Sequence, residues 1–241
     1  MPHWLERTEL LVSKEDMVKL QNAHVLIVGL GGIGSFAGEF IARAGVGTMT
    51  IIDGDAFDIT NKNRQLTALD STIGRNKAVV LAERIRDINP DINLNVIQEF
   101  VLPERVWKIL EEYKPDYVMD CIDSVTPKLE WIIACLRTKT KIVSHFGAGG
   151  KVDPTKVGVA SLERTENCKL AQHVKKRLKR KGVSFKKVRA VFSHEVQDKA
   201  SLKMTDGSNF KKSFYGTISY MPALFGLIGA AEVIRLIDNK S

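Results

Sequence analysis

The stretch His24-Val25-Leu26-Ile27-Val28-Gly29-Leu30-Gly31-Gly32-Ile33-Gly34 decides the fold. Its first five residues form a compact apolar run with the length of a buried strand. Gly29, Gly31 and Gly34 then satisfy G-x-G-x-x-G, with Gly32 as a further glycine in the turn. Ile33–Arg43 continues with small and apolar residues at helical spacing, ended by Gly45 and Gly47. Between a strand and a helix such glycines permit a tight turn and close backbone approach, and the helix N-terminus attracts phosphate. The motif alone specifies a nucleotide or a dinucleotide. Thr48–Ile52 reads as the next strand, and Asp53 at its end is placed to hold ribose hydroxyls.

Working outward, Leu10–Leu20 reads as a short amphipathic helix with Ser13 as N-cap, and Asn76–Ile88 as a helix with Pro90 just beyond it. Leu94–Ile97, Tyr117–Ile122 and Lys141–Ser144 follow as strands, separated by helices at Glu104–Glu112 and Pro127–Thr138. This alternation predicts an α/β chain: a Rossmann-like, doubly wound, mainly parallel sheet with helices on both faces. Beyond Gly150 the pattern weakens. Val157–Ser161 and Val188–Ser193 read as strands, Leu170–Arg180 as a basic helix, and Lys199–Ser213 as a polar loop. The expected organisation over 1–241 is a single domain. It has a nucleotide-binding core at about 21–150, a basic insertion at about 161–215 and a closing helix at 223–237.

The 241 residues, 44% hydrophobic and 27% charged, suit an ordinary globular protein with a proper core. The longest apolar run, Met221–Ala231, is too short to cross a bilayer and reads as a buried helix. No charged-then-apolar leader opens the sequence, and its three cysteines, Cys121, Cys135 and Cys168, make no C-x-x-C pair. Both observations point to reduced thiols, no membrane association and the cytoplasm. The net charge of +8 is concentrated in Lys169–Arg189, where ten cations occur with no acid between them. Without those ten the formal total becomes −2, so the basicity is a local device.

Three further charges bear on the ligand. A dinucleotide pyrophosphate is held by a helix N-terminus with little cationic help, whereas a triphosphate and its leaving pyrophosphate need cations or a metal. Arg64 lies in the loop after the second strand, Lys77 opens the next helix, and Asp123 follows the fourth strand in Asp120-Cys121-Ile122-Asp123-Ser124. Each alone is an ordinary surface charge. Together, at the carboxyl ends of strands, they read as a site for ATP, with Asp123 placed to carry Mg2+.

The ordered set Val25–Gly34, Gly45-Val46-Gly47, Asp53, Asn61-x-x-Arg64-Gln65, Gly74-x-x-Lys77 and Asp120-x-x-Asp123 resembles the E1-like (ThiF/MoeB/HesA) adenylating enzymes. The resemblance implies an E1-like adenylation fold in which Gly29, Gly31, Gly32, Gly34, Asp53, Asp55, Asn61, Arg64, Gln65, Lys77 and Asp123 surround the nucleotide. It implies that Asp53 binds ribose, that Asn61, Arg64 and Lys77 contact phosphates, and that Asp123 organises magnesium and supports adenylyl transfer. Arg7 matches an N-terminal arginine that in this family reaches the phosphates from the other subunit of a homodimer.

Members that activate ubiquitin-like or sulfur-carrier proteins usually hold zinc with two C-x-x-C pairs, and thioester-forming members add a reactive cysteine. Neither signature occurs in this chain. Cys121 and Cys135 read as buried packing residues. Cys168, beside Lys169, is a weak candidate nucleophile without a paired base. Asn61-x-Asn63-Arg64-Gln65, Asp120–Ser124 with Pro127-Lys128, Gly147–Gly150, Asp153-Pro154-Thr155 and Val191–Ser193 with Glu195 resemble a narrower branch, the tRNA threonylcarbamoyladenosine dehydratases (TcdA/CsdL). The chain departs from that branch at Asn167-Cys168 and Ala190, which argues against obligatory cysteine chemistry.

The branch implies ATP-dependent cyclisation of N6-threonylcarbamoyladenosine in tRNA through an acyl-adenylate, with release of AMP and pyrophosphate. The alternative is adenylation of the C-terminus of a ubiquitin-like or sulfur-carrier protein. Within the first expectation, Lys175, Lys176, Arg177, Lys179 and Arg180 grip tRNA phosphates, and Phe185 stacks on a base. His145 either contacts the substrate carboxylate or is a buried, hydrogen-bonded histidine. The resemblance leaves open whether a monovalent cation orders Gly147–Gly150 and whether a sulfur-transfer protein pair assists.

Overall fold

The computed structural model describes residues 2–204 and 213–238. Two short N-terminal turns, the second an α-helix at Glu6–Glu9 (α1), lead to α2 at Lys14–Asn22, where the Ser13 hydroxyl accepts from the Asp16 amide at 3.1 Å. That cap starts the helix four residues later than the apolar pattern at Leu10 predicts. Leu10 and Leu11 lie outside it, each 85% exposed.

The glycine stretch folds as read: β1 is His24–Val28 and α3 is Gly34–Arg43, followed by β2 at Thr48–Ile52. Next come α4 at Lys77–Ile88, β3 at Asn93–Ile97, α5 at Pro103–Tyr113, β4 at Tyr117–Asp120, α6 at Val125–Thr138 and β5 at Lys141–His145. Asn76 caps α4, its side chain accepting from the Ala78 and Val79 amides. The fourth strand ends at Asp120 rather than Ile122, because the Asp120 carboxylate turns back to accept from the Ile122 amide at 3.1 Å.

The second half comprises β6 at Val157–Ser161, α7 at Lys169–Arg180, β7 at Arg189–Ser193, β8 at Leu202–Met204, β9 at Ser213–Tyr215 and α8 at Tyr220–Ile237. Seven strands form one sheet in the order β3-β2-β1-β4-β5-β7-β6. All neighbours are parallel except β6, which closes the edge antiparallel to β7 with Val157 opposite Ser193. Because β7 pairs with β5 within this sheet, the basic stretch is woven into the main layer rather than set apart from it. Leu202–Met204 and Ser213–Tyr215 pair as a two-stranded ribbon where the sequence reads only as loop, and 205–212 of that loop lie outside the described residues.

One face of the sheet is covered by α2, α3, α4 and α8 over Val25, Ile27, Met49, Ile51 and Met119. The other is covered by α5, α6 and α7 over Leu26, Val28, Val118 and Ile142. Alternate residues of each central strand therefore serve opposite cores, which is why these strands read as unbroken apolar runs. Helix α8 is long and apolar enough to span a membrane, yet half of it is buried, against α3 and the strands β5, β6 and β7. The chain departs from β1 toward β2 and β3 on one side and later toward β4 on the other. The crevice above the carboxyl ends of β1 and β4 is thus the switch point at which open α/β sheets bind ligands.

Candidate nucleotide and substrate site

At that crevice the main chain does most of the placing. Gly29 adopts φ +84°, a left-handed conformation that disfavours side chains, and lies against the carbonyl of Cys121. A Cβ on Gly34 would stand 1.8 Å from the Gly29 carbonyl oxygen, so only glycine fits there. Gly32 packs on Arg64 and Pro222, and Gly31 faces the Gln65 amide. Ser35, which sequence reasoning missed, ties these pieces together. Its hydroxyl donates to the Gly31 carbonyl at 2.7 Å and accepts from the Leu66 amide at 3.3 Å.

Asp53 sits at the end of β2, accepting from the Leu30 amide at 2.6 Å and the Asp55 amide at 2.8 Å. Burial raises its pKa above the usual carboxylate value, against the pull of Lys77 and of those two amides. Each of its oxygens still has a lone pair for a ribose hydroxyl. Lys77, only 7% exposed, donates to Asp55 at 3.0 Å, so a cation is stored beside the glycine turn. Arg64 donates to the Thr60 carbonyl at 3.0 Å and to Asn63 at 2.7 Å. Burial lowers its pKa while Asp123 opposes the shift, so the guanidinium and that carboxylate lie within electrostatic reach. The Asn61 side-chain oxygen accepts from the Asp58 amide, and Asn61 is itself nearly buried, so it shapes this loop. Gln65 is 7% exposed, and its Oε1 has no hydrogen-bond partner.

The arrangement fits a nucleoside triphosphate. The glycine cradle has no room for side chains, an orphaned buried amide oxygen adjoins it, and Arg64 and Lys77 bracket it. Among the described residues no group of three or more His, Cys, Asp or Glu could hold a metal alone. A magnesium ion here would be held by phosphate oxygens together with exposed Asp123.

Beneath the Asp123 turn lies a cluster that the sequence showed only as part of a resemblance. Lys128, fully buried, donates to Asp120 Oδ2 at 2.6 Å and to Ser144 Oγ at 3.2 Å. The available signal was a lysine in the first turn of a helix, where the helix dipole disfavours a cation.

Several expected contacts fall elsewhere. His145 is 1% exposed, its Nδ1 bonded to the Asp120 carbonyl at 3.2 Å and its Nε2 packed against Gly229 of α8. Burial, and then the Lys128 cation, push its pKa down to about 3. It is the buried histidine of the two alternatives and does not reach a substrate carboxylate. Cys168 is 1% exposed and accepts from the Gly147 amide at 3.4 Å, which withdraws it from the role of nucleophile. Phe185 is 7% exposed within the core under α7, so its ring is not presented for stacking. Burial also pushes the Cys121 and Cys135 thiols up, as inert packing residues require.

Helix α7 buries Ala171, Val174 and Leu178 and turns its cations outward. Of the five cations expected to grip tRNA, Lys175 donates to the Thr165 carbonyl at 2.6 Å and Arg177 to the Thr126 hydroxyl at 3.1 Å. Lys176, Lys179 and Arg180 are exposed. With Glu163, Gln172, Lys175 and the largely buried Phe185 they line a groove of about 450 Å3. The helix starts beside Gly147 at the carboxyl end of the sheet, and the chain returns to Arg189 at the amino end of β7. Arg7 lies exposed on α1, away from these groups in sequence.

A fold with this switch point and glycine cradle is that of the E1-like class of ATP-using enzymes. The ThiF family matches residues 5–241, and the chain belongs to that family. It is 35% identical to a tRNA threonylcarbamoyladenosine dehydratase of Haemophilus influenzae, across 96% of this chain and 92% of that protein. A Bacillus subtilis protein of the same name is 34% identical over 97% and 94%. The Escherichia coli tRNA N6-threonylcarbamoyladenosine dehydratase TcdA, solved in complex with ATP, superposes with a TM-score of 0.88 at 36% identity, covering 100% of this chain and 97% of that one.

Proposed function

We propose that this protein catalyses the ATP-dependent dehydration of N6-threonylcarbamoyladenosine in tRNA. The observation that carries the reading is end-to-end likeness to dehydratases of that name, one of them solved with ATP, in a chain whose glycine turn leaves no room for side chains. An oxygen of the threonyl carboxylate attacks the α-phosphorus, and the bond to pyrophosphate breaks. A neighbouring atom of the same side chain then displaces AMP from the activated carbonyl, losing its proton as the ring closes. The net change is loss of one water.

Such an intramolecular attack gains a large effective molarity from proximity and needs no enzyme nucleophile. That suits a chain whose Cys168 and Cys135 are buried. Asp53 would orient the ribose, while Lys77 exchanges Asp55 for phosphate oxygens and Arg64 offsets charge developing on the leaving pyrophosphate. Magnesium, held through Asp123, would neutralise the phosphates.

The same proposal makes the chain one adenylation domain in a cytoplasmic homodimer, with the partner copy's arginine at position 7 completing the phosphate site. Lys176, Lys179 and Arg180 are its proposed tRNA contacts. A monovalent cation at Gly147–Gly150 and a sulfur-transfer protein pair are accessory proposals, testable by salt substitution and by pull-down.

The test is incubation with ATP, magnesium and tRNA bearing threonylcarbamoyladenosine, followed by nucleoside mass spectrometry. A nucleoside lighter by one water supports the proposal. An unchanged nucleoside, with ATP–pyrophosphate exchange that depends instead on a small protein ending in Gly-Gly, would overturn it.

A further inference from the structure

The Lys128 cluster calls for a physical reason. Lys128 is 0% exposed in the first turn of α6, where desolvation and the helix dipole both oppose a cation. A buried ion pair of this kind gives no more stability than well-packed apolar residues of similar volume. What this one does is fix the orientation of Asp120, the last residue of β4. Asp120 Oδ2 accepts from Lys128 at 2.6 Å and from the Ser144 hydroxyl at 2.7 Å. Its Oδ1 accepts from the Ile122 amide, and its carbonyl faces His145 Nδ1. The lysine ammonium also lies 5.1 Å from the centre of the Phe146 ring.

The carboxylate–amide bond from Asp120 to Ile122 is the bond that stops the strand and aims the following residues at the crevice. On its other side the same turn is pressed against the glycine cradle, since Gly29 abuts the Cys121 carbonyl. We infer that Lys128, Asp120 and Ser144 are positioning residues: they lock the turn that carries Asp123, so that this carboxylate meets the nucleotide phosphates already oriented. The inference rests on the reading of Asp123 as part of the adenylation site. Fixed orientation of groups at the reacting end is worth large rate factors, and loss of such supporting contacts typically costs about 10- to 100-fold.

The experiment compares wild type with the Asp120→Asn/Lys128→Met pair, which removes both charges at similar volume, and with the milder Ser144→Ala. Amide hydrogen exchange is measured on the protein alone, ATP affinity by calorimetry, and adenylation by tRNA-dependent ATP–pyrophosphate exchange. The expected result is about tenfold faster exchange confined to Ile122, Asp123 and Ser124, with β1 still protected. In parallel kcat falls about 10- to 100-fold while the KM for ATP stays near wild type. Ser144→Ala shifts both in the same direction by less, and Ser144→Thr restores them.

Unchanged exchange at 122–124 in a folded variant overturns the inference, as does faster exchange spread evenly over β4, β5 and α6. If the double variant does not fold, Ser144→Ala decides by the same two criteria. Because the exchange measurement needs neither ATP nor tRNA, a wild type inert toward modified tRNA would remove the functional reading while leaving the positioning result standing.

Discussion

Around β1, β2 and β4 the functional groups are placed by the main chain, whereas along α7 they are placed only by the face of the helix they occupy. In the first region Gly34 touches Gly29, Asp53 holds the Leu30 amide, and the Asp120 carboxylate ends its own strand. Nothing there can shift by an ångström without rebuilding the turn. In the second region the buried stripe of Ala171, Val174 and Leu178 anchors the helix, and its exposed Lys176, Lys179 and Arg180 can follow a flexible polyanion. Nucleotide chemistry needs the first kind of site and phosphodiester recognition tolerates the second.

The largest effect that would sharpen this contrast is expected from Gly34→Ala. With its Cβ 1.8 Å from a carbonyl oxygen, the variant should lose measurable ATP binding and upwards of about 4 kcal/mol of stability, read by calorimetry and melting. Wild-type ATP affinity in that variant would break the claim that the main chain builds the cradle. Next, Asp123→Ala or Lys77→Ala should lower turnover on the order of 10²- to 10³-fold with the fold intact, checked by pyrophosphate release and circular dichroism.

Where the two regions adjoin, His145 provides a pH signature. Its folded pKa is pushed from 6.5 down to about 3, so the unfolded chain takes up a proton that the folded one does not. Stability is therefore full above pH 6.5 and lost as pH falls toward 3, by about 1.4 kcal/mol per unit over that window. His145→Asn should remove that slope in pH-dependent denaturant melts; an undiminished slope would assign it to other groups.

Smaller again is the effect of Lys176→Ala/Lys179→Ala/Arg180→Ala. It should weaken tRNA binding roughly tenfold and flatten its salt dependence by about two to three ions, with ATP affinity kept. Lys175 and Arg177 are unsuitable for that test, since their internal bonds to Thr165 and Thr126 mix packing with charge. Smallest is Gly158→Ala, where a new Cβ meets nothing within 4 Å and stability should move by less than about 0.5 kcal/mol.

Legibility followed the same division. Strands β1, β2 and β6 and the Ser13 cap are where the apolar runs and polar punctuation place them, while Asn76, read as the first helical residue, is the cap before α4. Arg64, Lys77 and Asp123 stand out in the sequence because they lie at strand ends and element starts, positions that local sequence marks. Lys128 does not, because its partners are eight and sixteen residues away and meet only when β4, β5 and α6 pack. Phe185 was misleading for the opposite reason, since an aromatic among lysines looks exposed in one dimension, and local sequence left His145 open between a substrate contact and burial. Core packing under α7, and Gly229 of α8 against the imidazole, bury them.

By itself, then, the sequence determined the phosphate-binding turn, the alternation that makes a parallel sheet and the charges that suit a triphosphate. These depend on backbone conformation and short-range periodicity, which a few adjacent residues specify. The tertiary structure alone decided which cations face solvent, which histidine and cysteine are sealed away, and what holds the Asp123 turn. Those outcomes depend on desolvation and on partners distant in the chain, and only the packed sheet and its helices bring them together.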